Sequence, residues 1–227
     1  GPVRKWIESL HAACWQAGIR LSYSVRSLSD CDTGLRGDLH FMTSLLEKRF
    51  IWGDKKLSRQ LDKIYDQYLR DAGPGVLIAA KLAERDARHR KQGDSRALLQ
   101  PNVKESKGGL RDLQNLFWLA TLSDGARRLQ DMVRKKLLSA AEARSLGQAH
   151  EFFWRVRCLL HLQAGRAEDR LSFDVQPDIA QRMGYDNPAP NLRAEAFMRD
   201  YFRMANETGY LTRILCTMLE VRASSGG

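Results

Sequence analysis

Apolar residues recur every three to four positions along most of the chain, and this period predicts helices. The first run predicts a helix over residues 3–17 that ends at Gly18, because glycine readily adopts the left-handed conformation found at helix ends. From residue 55 the helical period continues almost without interruption, and Asn191 opens the last helix. The pattern therefore predicts a mainly α fold.

Local signals place the ends of several of these helices. Pro74 stands at a helix start, where its missing N–H costs nothing. Ser139 and Glu142 have the spacing of a capping box ahead of a long segment that ends at Gly165.

Two short stretches near the beginning depart from the helical period. Residues 19–25 alternate apolar and polar side chains, which predicts a half-buried strand. Residues 39–52 fit either a helix or a strand. We therefore expect a small α/β part over residues 1–55, followed by a bundle-like helical domain over residues 56–227.

The chain carries 37 Lys and Arg against 27 Asp and Glu, a net charge of +10. A basic surface attracts phosphates on nucleic acids, nucleotides or membranes. Acidic residues are interleaved with the basic ones, as in residues 85–91, which is more typical of a solvated helix face. No apolar run approaches the roughly 18 residues that a membrane-spanning helix needs, so we expect no membrane association.

The four cysteines are far apart in sequence and lack the spacing of a zinc site or a CxxC motif. This usage is typical of a reducing compartment, and no amino-terminal signal pattern is present, so we expect a cytoplasmic protein. Cys158 and Cys216 lie in apolar helical patterns and are expected to be buried as small hydrophobic residues.

The least helical stretch of the second half, residues 95–113, is rich in polar residues and contains Gly108 and Gly109 directly before an amphipathic helix. Such a turn leaves backbone N–H groups free, and Lys104, Lys107 and Arg111 would add positive charge for an anion. The spacing matches neither GxGxxG nor GxxxxGK[ST]. A phosphate site and a plain helix cap therefore both stay open.

A second dense polar stretch, residues 165–174, follows the helix that carries Arg155 and Arg157. Arginine beside carboxylate most often forms a structural ion pair. The same arginines are also able to hold a triphosphate through paired hydrogen bonds.

Asp30 and Asp32 have the alternation that places two carboxylates on one face of a strand, as in a two-metal site. Their flanking residues are typical of turns, and no Gly-Ser element precedes them. We therefore interpret this pair as unrelated to metal binding.

Taken together, these motifs resemble the bacterial PII-protein uridylyltransferase/uridylyl-removing enzyme family of the DNA-polymerase-beta-like nucleotidyltransferase superfamily. The element Asn-Val-Lys-Glu…Gly-Gly-Leu-Arg-Asp-Leu is specific to this family and its close relatives. The resemblance extends from about Trp6 to Glu220. Its passages are residues 24–28, 43–54, 101–113, 153–157 and 165–171.

The resemblance implies transfer of UMP from UTP to a tyrosine of the small PII signalling protein, in the regulation of nitrogen metabolism by glutamine. It also implies three carboxylates that hold two Mg²⁺ ions, which neutralise phosphate charge and activate the attacking hydroxyl. The family's Gly-Gly…Asp-x-Asp signature is absent from this sequence. We therefore expect this chain to be part of a larger enzyme and inactive alone.

The resemblance also suggests roles for individual residues. Glu47 is the candidate for the third catalytic, metal-binding carboxylate, which requires a strand over residues 44–51; a surface or ion-paired glutamate is the alternative. The candidates to contact the nucleotide phosphates or PII are Lys104, Arg111, Arg155, Arg157, Arg166 and Arg170, and the candidate orienting groups are Asn102, Glu105 and Asp112.

A different class of function is a non-enzymatic helical module whose basic surface binds an acidic protein or a nucleic acid. Part of the positive charge gathers in residues 104–111 and 155–170. This grouping at the family motifs favours a nucleoside triphosphate over a polynucleotide.

Overall fold

The computed structural model describes residues 2–19, 21–91 and 99–225, and ten α-helices make up most of this part of the chain. The prediction of a mainly α fold is confirmed. No helix in the described ranges is long and apolar enough to cross a membrane. In chain order the helices are α1 (Pro2–Gln16), α2 (Leu28–Gly37), α3 (Leu39–Leu46), α4 (Lys55–Ala72), α5 (Pro74–Lys91), α6 (Leu110–Asp124), α7 (Leu129–Arg134), α8 (Ala140–Ala164), α9 (Gln176–Arg182) and α10 (Pro190–Ser225).

The helix ends fall close to their predicted positions. The first helix ends shortly before Gly18, whose φ is +73°, and α5 begins at Pro74. The capping box of α8 is formed: Ser139 Oγ accepts from the N–H of Glu142 at 3.2 Å, and the Glu142 carboxylate accepts from the N–H of Ser139 at 2.8 Å. Gly165 ends α8 with φ +62°. These helix ends could be predicted from the sequence because each depends on a local requirement of the backbone.

The strand predicted over residues 19–25 is wrong. In the described part of this stretch the backbone is irregular and pairs with no strand, and its four apolar side chains are all exposed. An isolated strand has no partner for its N–H and C=O groups, so alternation alone does not hold it in place. The α/β character expected of residues 1–55 is therefore absent from their described part.

The strand considered for residues 44–51 is also wrong. Within the ambiguous stretch 39–52, the helix α3 continues to Leu46, and the segment after it is irregular. The side chain of Asp38 caps α3 by accepting from the N–H groups of His40 at 2.8 Å and Phe41 at 3.2 Å. This cap satisfies the first free N–H groups of the helix, which favours the helical alternative.

The main hydrophobic core lies among α5 to α10, and α6 packs against α3, α5, α8 and α10. From α6, Leu113 and Leu116 are fully enclosed. Across from them the rings of Phe153 and Tyr201 meet edge to face, with centroids 5.4 Å apart. This packing fixes α6 as the helix from which the polar side chains described below project.

A smaller core joins α2, α3, α4 and α5 around Leu35, Met42, Tyr65 and Leu77. The Tyr65 hydroxyl donates to the backbone oxygen of Met42 at 3.4 Å. This cluster draws residues from both sides of the predicted domain boundary near residue 55, and the division into domains stays a prediction. This smaller core places the end of α3 beside α6.

All four cysteines are free thiols. Cys216 is buried, as predicted, and burial raises the pKa of its thiol to about 11. The prediction for Cys158 is wrong, because this residue is exposed on α8. Its neighbours Val156 and Leu160 face the core, and the turn of the helix carries Cys158 to the outside.

Candidate functional site

The polar stretch before α6 folds into a compact loop around Asn102. The side-chain oxygen of Asn102 accepts from the N–H of Lys104 at 3.0 Å and from the N–H of Glu105 at 2.7 Å. The hydroxyl of Ser106 accepts from the N–H of Asn102 at 2.9 Å, and Val103 is fully buried beneath the turn. Asn102 thus shapes the loop that carries Lys104 and Glu105.

Two glycines let this loop come close to its neighbours. Gly108 has φ +80°, and a Cβ added there would lie 2.0 Å from the backbone oxygen of Ala205 on α10. A Cβ on Gly109 would lie 2.6 Å from the backbone oxygen of Val103. Glycine is therefore required at both positions, for close approach at each and for the backbone conformation at the first.

The two polar stretches of the sequence meet in space. The N–H of Val103 donates to the backbone oxygen of Asp169 at 2.8 Å, and the N–H of Leu171 donates to that of Pro101 at 2.8 Å. The loop before α6 and the segment after α8 are thereby joined in a short antiparallel bridge.

A cleft of about 610 Å³ opens beside this junction, between the end of α3, the loop, α6 and α8. Four of the residues predicted from the sequence line it: Glu47, Lys104, Arg111 and Arg157. Three large aromatic side chains form another part of its wall. They are Phe117 and Trp118 of α6 and Trp154 of α8.

Glu105 lies close to three cations at the edge of the cleft. Its carboxylate is 3.4 Å from Lys104 Nζ, 3.5 Å from the Arg111 guanidinium and 3.7 Å from Arg88 Nε. These distances are longer than those of a charge-assisted hydrogen bond, so Lys104 and Arg111, which line the cleft, are held near the carboxylate without a hydrogen bond to it. This position suits the orienting role predicted for Glu105.

Arg157 is held more firmly. Its Nε donates to Asp169 Oδ1 at 2.7 Å, the same oxygen lies 3.0 Å from His161 Nε2, and the guanidinium lies 5.2 Å from the centre of the Trp154 ring. Burial alone would raise the pKa of Asp169, but the hydrogen bonds from Arg157 and His161 outweigh it and lower that pKa. The ionised carboxylate therefore fixes Arg157 against Trp154 at the cleft.

Glu47 reaches the cleft from the residue directly after α3 instead of from a strand. Its Oε1 accepts from Gln114 Nε2 at 3.0 Å and from Trp118 Nε1 at 2.8 Å. Its second oxygen has no hydrogen bond within the described residues, and the metal-binding role of Glu47 stays a prediction. The cleft wall holds no further carboxylate in the described chain, and no group of three metal-binding side chains occurs there. These residues alone therefore do not build a site for two Mg²⁺ ions.

Asp112 lies on another face of α6 and does not line the cleft. Its side chain is 2% exposed and accepts from Arg88, from His89 Nε2 at 2.9 Å and from the N–H of Gly108 at 2.8 Å. Because a carboxylate can only accept, His89 Nε2 carries the proton. Asp112 thus ties α5 to the loop that carries Lys104.

Three residues predicted to contact a nucleotide lie outside the cleft. Arg155 is exposed on α8, where a separation of two residues from Arg157 turns it about 200° around the helix. Arg166 forms a surface ion pair with Glu168 at 3.0 Å. The side chain of Arg170 is exposed, and its backbone N–H donates to the carboxylate of Glu168. Their roles stay predictions that the cleft geometry does not support.

The structure adds cleft residues that the sequence reasoning missed. Arg127 lines the cleft, and its side chain makes no hydrogen bond or ion pair in the described chain. The sequence analysis assigned no role to Trp118, and it included Trp154 only as part of the resemblance passage 153–157. Asp169, which lies behind Arg157, stood in the polar stretch and the resemblance passage without a role of its own, and nothing in the sequence marked its pairing with His161.

Comparisons with known proteins confirm the family resemblance of the sequence. Residues 77–216 match the family model of the GlnD PII-uridylyltransferase. The chain is 45% identical over 215 residues to the bifunctional uridylyltransferase/uridylyl-removing enzyme of Rhodospirillum rubrum, covering 94% of this chain and 23% of that protein. The protein of the same name from Azospirillum brasilense is 42% identical over 222 residues, covering 97% and 24%. The chain spans about a quarter of these relatives, and no solved structure matches it.

Proposed function

Because this chain belongs to the PII-uridylyltransferase family, we propose that it forms the helical part of a cytoplasmic enzyme that transfers UMP from UTP to a tyrosine of a PII protein. In this proposal the cleft receives the triphosphate of UTP. The transfer itself is assigned to the longer protein of which this chain matches about a quarter.

The observation that carries the proposal is the convergence of cations in the cleft. Lys104, Arg111 and Arg157 come from three separate elements, and Arg127 adds a fourth cation. Guanidinium groups bind phosphate through paired hydrogen bonds, and lysine adds a point charge. Trp154 supplies an exposed aromatic surface beside them, which suits a nucleotide better than an inorganic anion.

The remaining groups support these cations. Glu105 holds Lys104 and Arg111 at the edge of the cleft, and Asp169 fixes Arg157. Magnesium is part of the proposal as the ion that neutralises phosphate charge during transfer. From this chain, Glu47 would supply one of its ligands.

The test is binding of UTP to the 227-residue chain in the presence of Mg²⁺, followed through the fluorescence of the cleft tryptophans. Arg111→Ala removes one guanidinium from the cleft and should weaken UTP binding about tenfold or more, since a hydrogen bond to a charged group contributes roughly 1.5–3 kcal/mol. Lys104→Ala should act in the same direction.

The matched control is Arg134→Ala, which removes the same charge from a side chain of α7 that is 78% exposed and outside the cleft. This variant should bind UTP as the unaltered chain does. Absence of UTP binding, or an equal loss in Arg111→Ala and Arg134→Ala, would contradict the proposal.

A further inference from the structure

A second concave site lies behind α6, where α5, the end of the loop and α10 converge. It is a cavity of about 290 Å³, which we name the rear pocket. It shares no lining residue with the cleft. Its charged and titratable lining residues are Arg85, Asp86, His89, Arg90, Lys107, Asp112 and Arg213.

The rear pocket has an excess of positive charge. Its wall carries four permanent cations and two carboxylates. Both carboxylates are already engaged: Asp86 accepts from Arg85 at 2.8 Å, and the buried Asp112 accepts from Arg88 and His89. These two carboxylates therefore do not neutralise Arg90 and Arg213.

Arg90 and Arg213 are the cations left for a ligand. Neither has a carboxylate partner within the described residues; Arg213 lies 5.8 Å from the centre of the Tyr210 ring. Arg90 comes from α5 and Arg213 from α10, on two sides of the same cavity. Two guanidinium groups that face one small cavity provide the paired donors that a tetrahedral oxyanion accepts.

We propose that the rear pocket is a binding site for a small phosphate anion, separate from the cleft. Its volume lies just below the usual range of ligand pockets, about 300–1,000 Å³, which suits inorganic phosphate or pyrophosphate better than a whole nucleotide. Inorganic phosphate and pyrophosphate differ in charge and length, and the experiment below compares their binding.

The site is linked to the cleft through a series of charged groups. Asp112, in the wall of the rear pocket, holds the N–H of Gly108 and the guanidinium of Arg88. Arg88 in turn lies 3.7 Å from Glu105, which contacts Lys104 at the cleft. A bound anion would therefore rest against the same loop that presents Lys104 to the cleft.

The experiment measures binding of inorganic phosphate and of pyrophosphate by isothermal titration calorimetry. Because pyrophosphate is also able to enter the cleft, all proteins carry Lys104→Ala and Arg111→Ala. In this background we expect one site for at least one of the two anions. Adding Arg90→Ala and Arg213→Ala should lower its affinity about tenfold or more.

The matched control adds Arg144→Ala and Arg182→Ala, two exposed arginines on α8 and α9 that lie outside both cavities. It removes the same net charge and should keep the affinity within about twofold. The proposal is wrong if neither anion binds, or if the control pair lowers the affinity as much as Arg90→Ala and Arg213→Ala do. Circular dichroism checks that all variants keep the helical fold.

Discussion

At the scale of single residues, Asp112 is a carboxylate that is almost fully enclosed, with a side chain only 2% exposed. Burial by itself would raise the pKa of this carboxyl, but the hydrogen bond from His89, the charge of Arg88 and the N–H of Gly108 outweigh it and lower the pKa. A buried carboxylate that balances a buried guanidinium is costly to remove, because the remaining charge loses its partner. The sequence marked Asp112 as polar in a motif but gave no sign of partners 23 and 24 positions away.

Asp112→Asn should therefore lower the free energy of unfolding by about 3–5 kcal/mol, the usual effect of breaking a buried ion pair. Urea unfolding followed by circular dichroism measures this change. The control is Asp186→Asn at an exposed position, which should change stability by no more than about 0.5 kcal/mol. Equal effects of the two substitutions would show that Asp112 has no special structural role.

The lowered pKa also predicts a dependence on pH. A carboxyl whose pKa is lower in the folded than in the unfolded protein contributes its full stabilisation above the unfolded value, here near 3.8. That contribution is lost as the pH falls below this value through the folded pKa. Urea midpoints measured from pH 6 downward should fall less steeply in Asp112→Asn than in the unaltered chain, and parallel curves would contradict this assignment.

At the scale of elements, the sequence predicted those features that depend on neighbouring residues alone. The helical period, the capping box of α8 and the glycine that ends it are local, and each is present. The strands over residues 19–25 and 44–51 failed because a strand depends on a partner elsewhere in the chain. The cap of α3 by Asp38 was a local signal that would have resolved the second case.

Gly108 offers a test of how tightly the loop is built into the fold. Gly108→Ala places a Cβ 2.0 Å from the backbone oxygen of Ala205, at a position where φ is +80°. Gly184→Ala is the matched control, because Gly184 has φ +94° with open space around the added Cβ. The control should cost about 1–2 kcal/mol for the backbone conformation alone.

Gly108→Ala should cost clearly more than this control, because the loop or α10 has to move as well. Thermal unfolding of the two variants measures the difference. If both lose the same stability, the contact between the loop and α10 contributes nothing, and the backbone conformation explains the whole effect.

At the scale of the whole molecule, the candidate site is built from parts that are distant in sequence. Glu47 and Trp118, 71 positions apart, are joined by a hydrogen bond of 2.8 Å across the cleft wall. The sequence supplied many of the residues but not their grouping: Arg157 faces the cleft and Arg155 does not, because the turn of α8 separates them. Which face of α8 is turned toward the cleft depends on how α3 and α8 pack around α6.

The net charge of +10 leads to a prediction for the whole chain. If the cleft is built for a nucleotide, a random oligonucleotide should be held only by scattered surface charge. Its binding should then fall steeply between about 50 and 200 mM salt, through release of counterions. UTP binding should fall much less and should depend on Arg111.

Fluorescence titrations of both ligands at two salt concentrations make this comparison. Oligonucleotide binding that resists salt and disappears in Arg111→Ala would instead favour the basic interaction module. The control Arg134→Ala should affect both ligands little.

The contact between Gly108 and Ala205 has a consequence for how this loop can change in evolution. The atom that a larger residue at position 108 would strike is a main-chain oxygen, which every amino acid at position 205 carries. No smaller side chain at position 205 can therefore restore the lost space. A substitution at Gly108 can be compensated only by a shift of the main chain, either of the loop or of α10, so change at position 108 is coupled to the path of the backbone and not to the choice of side chain at position 205.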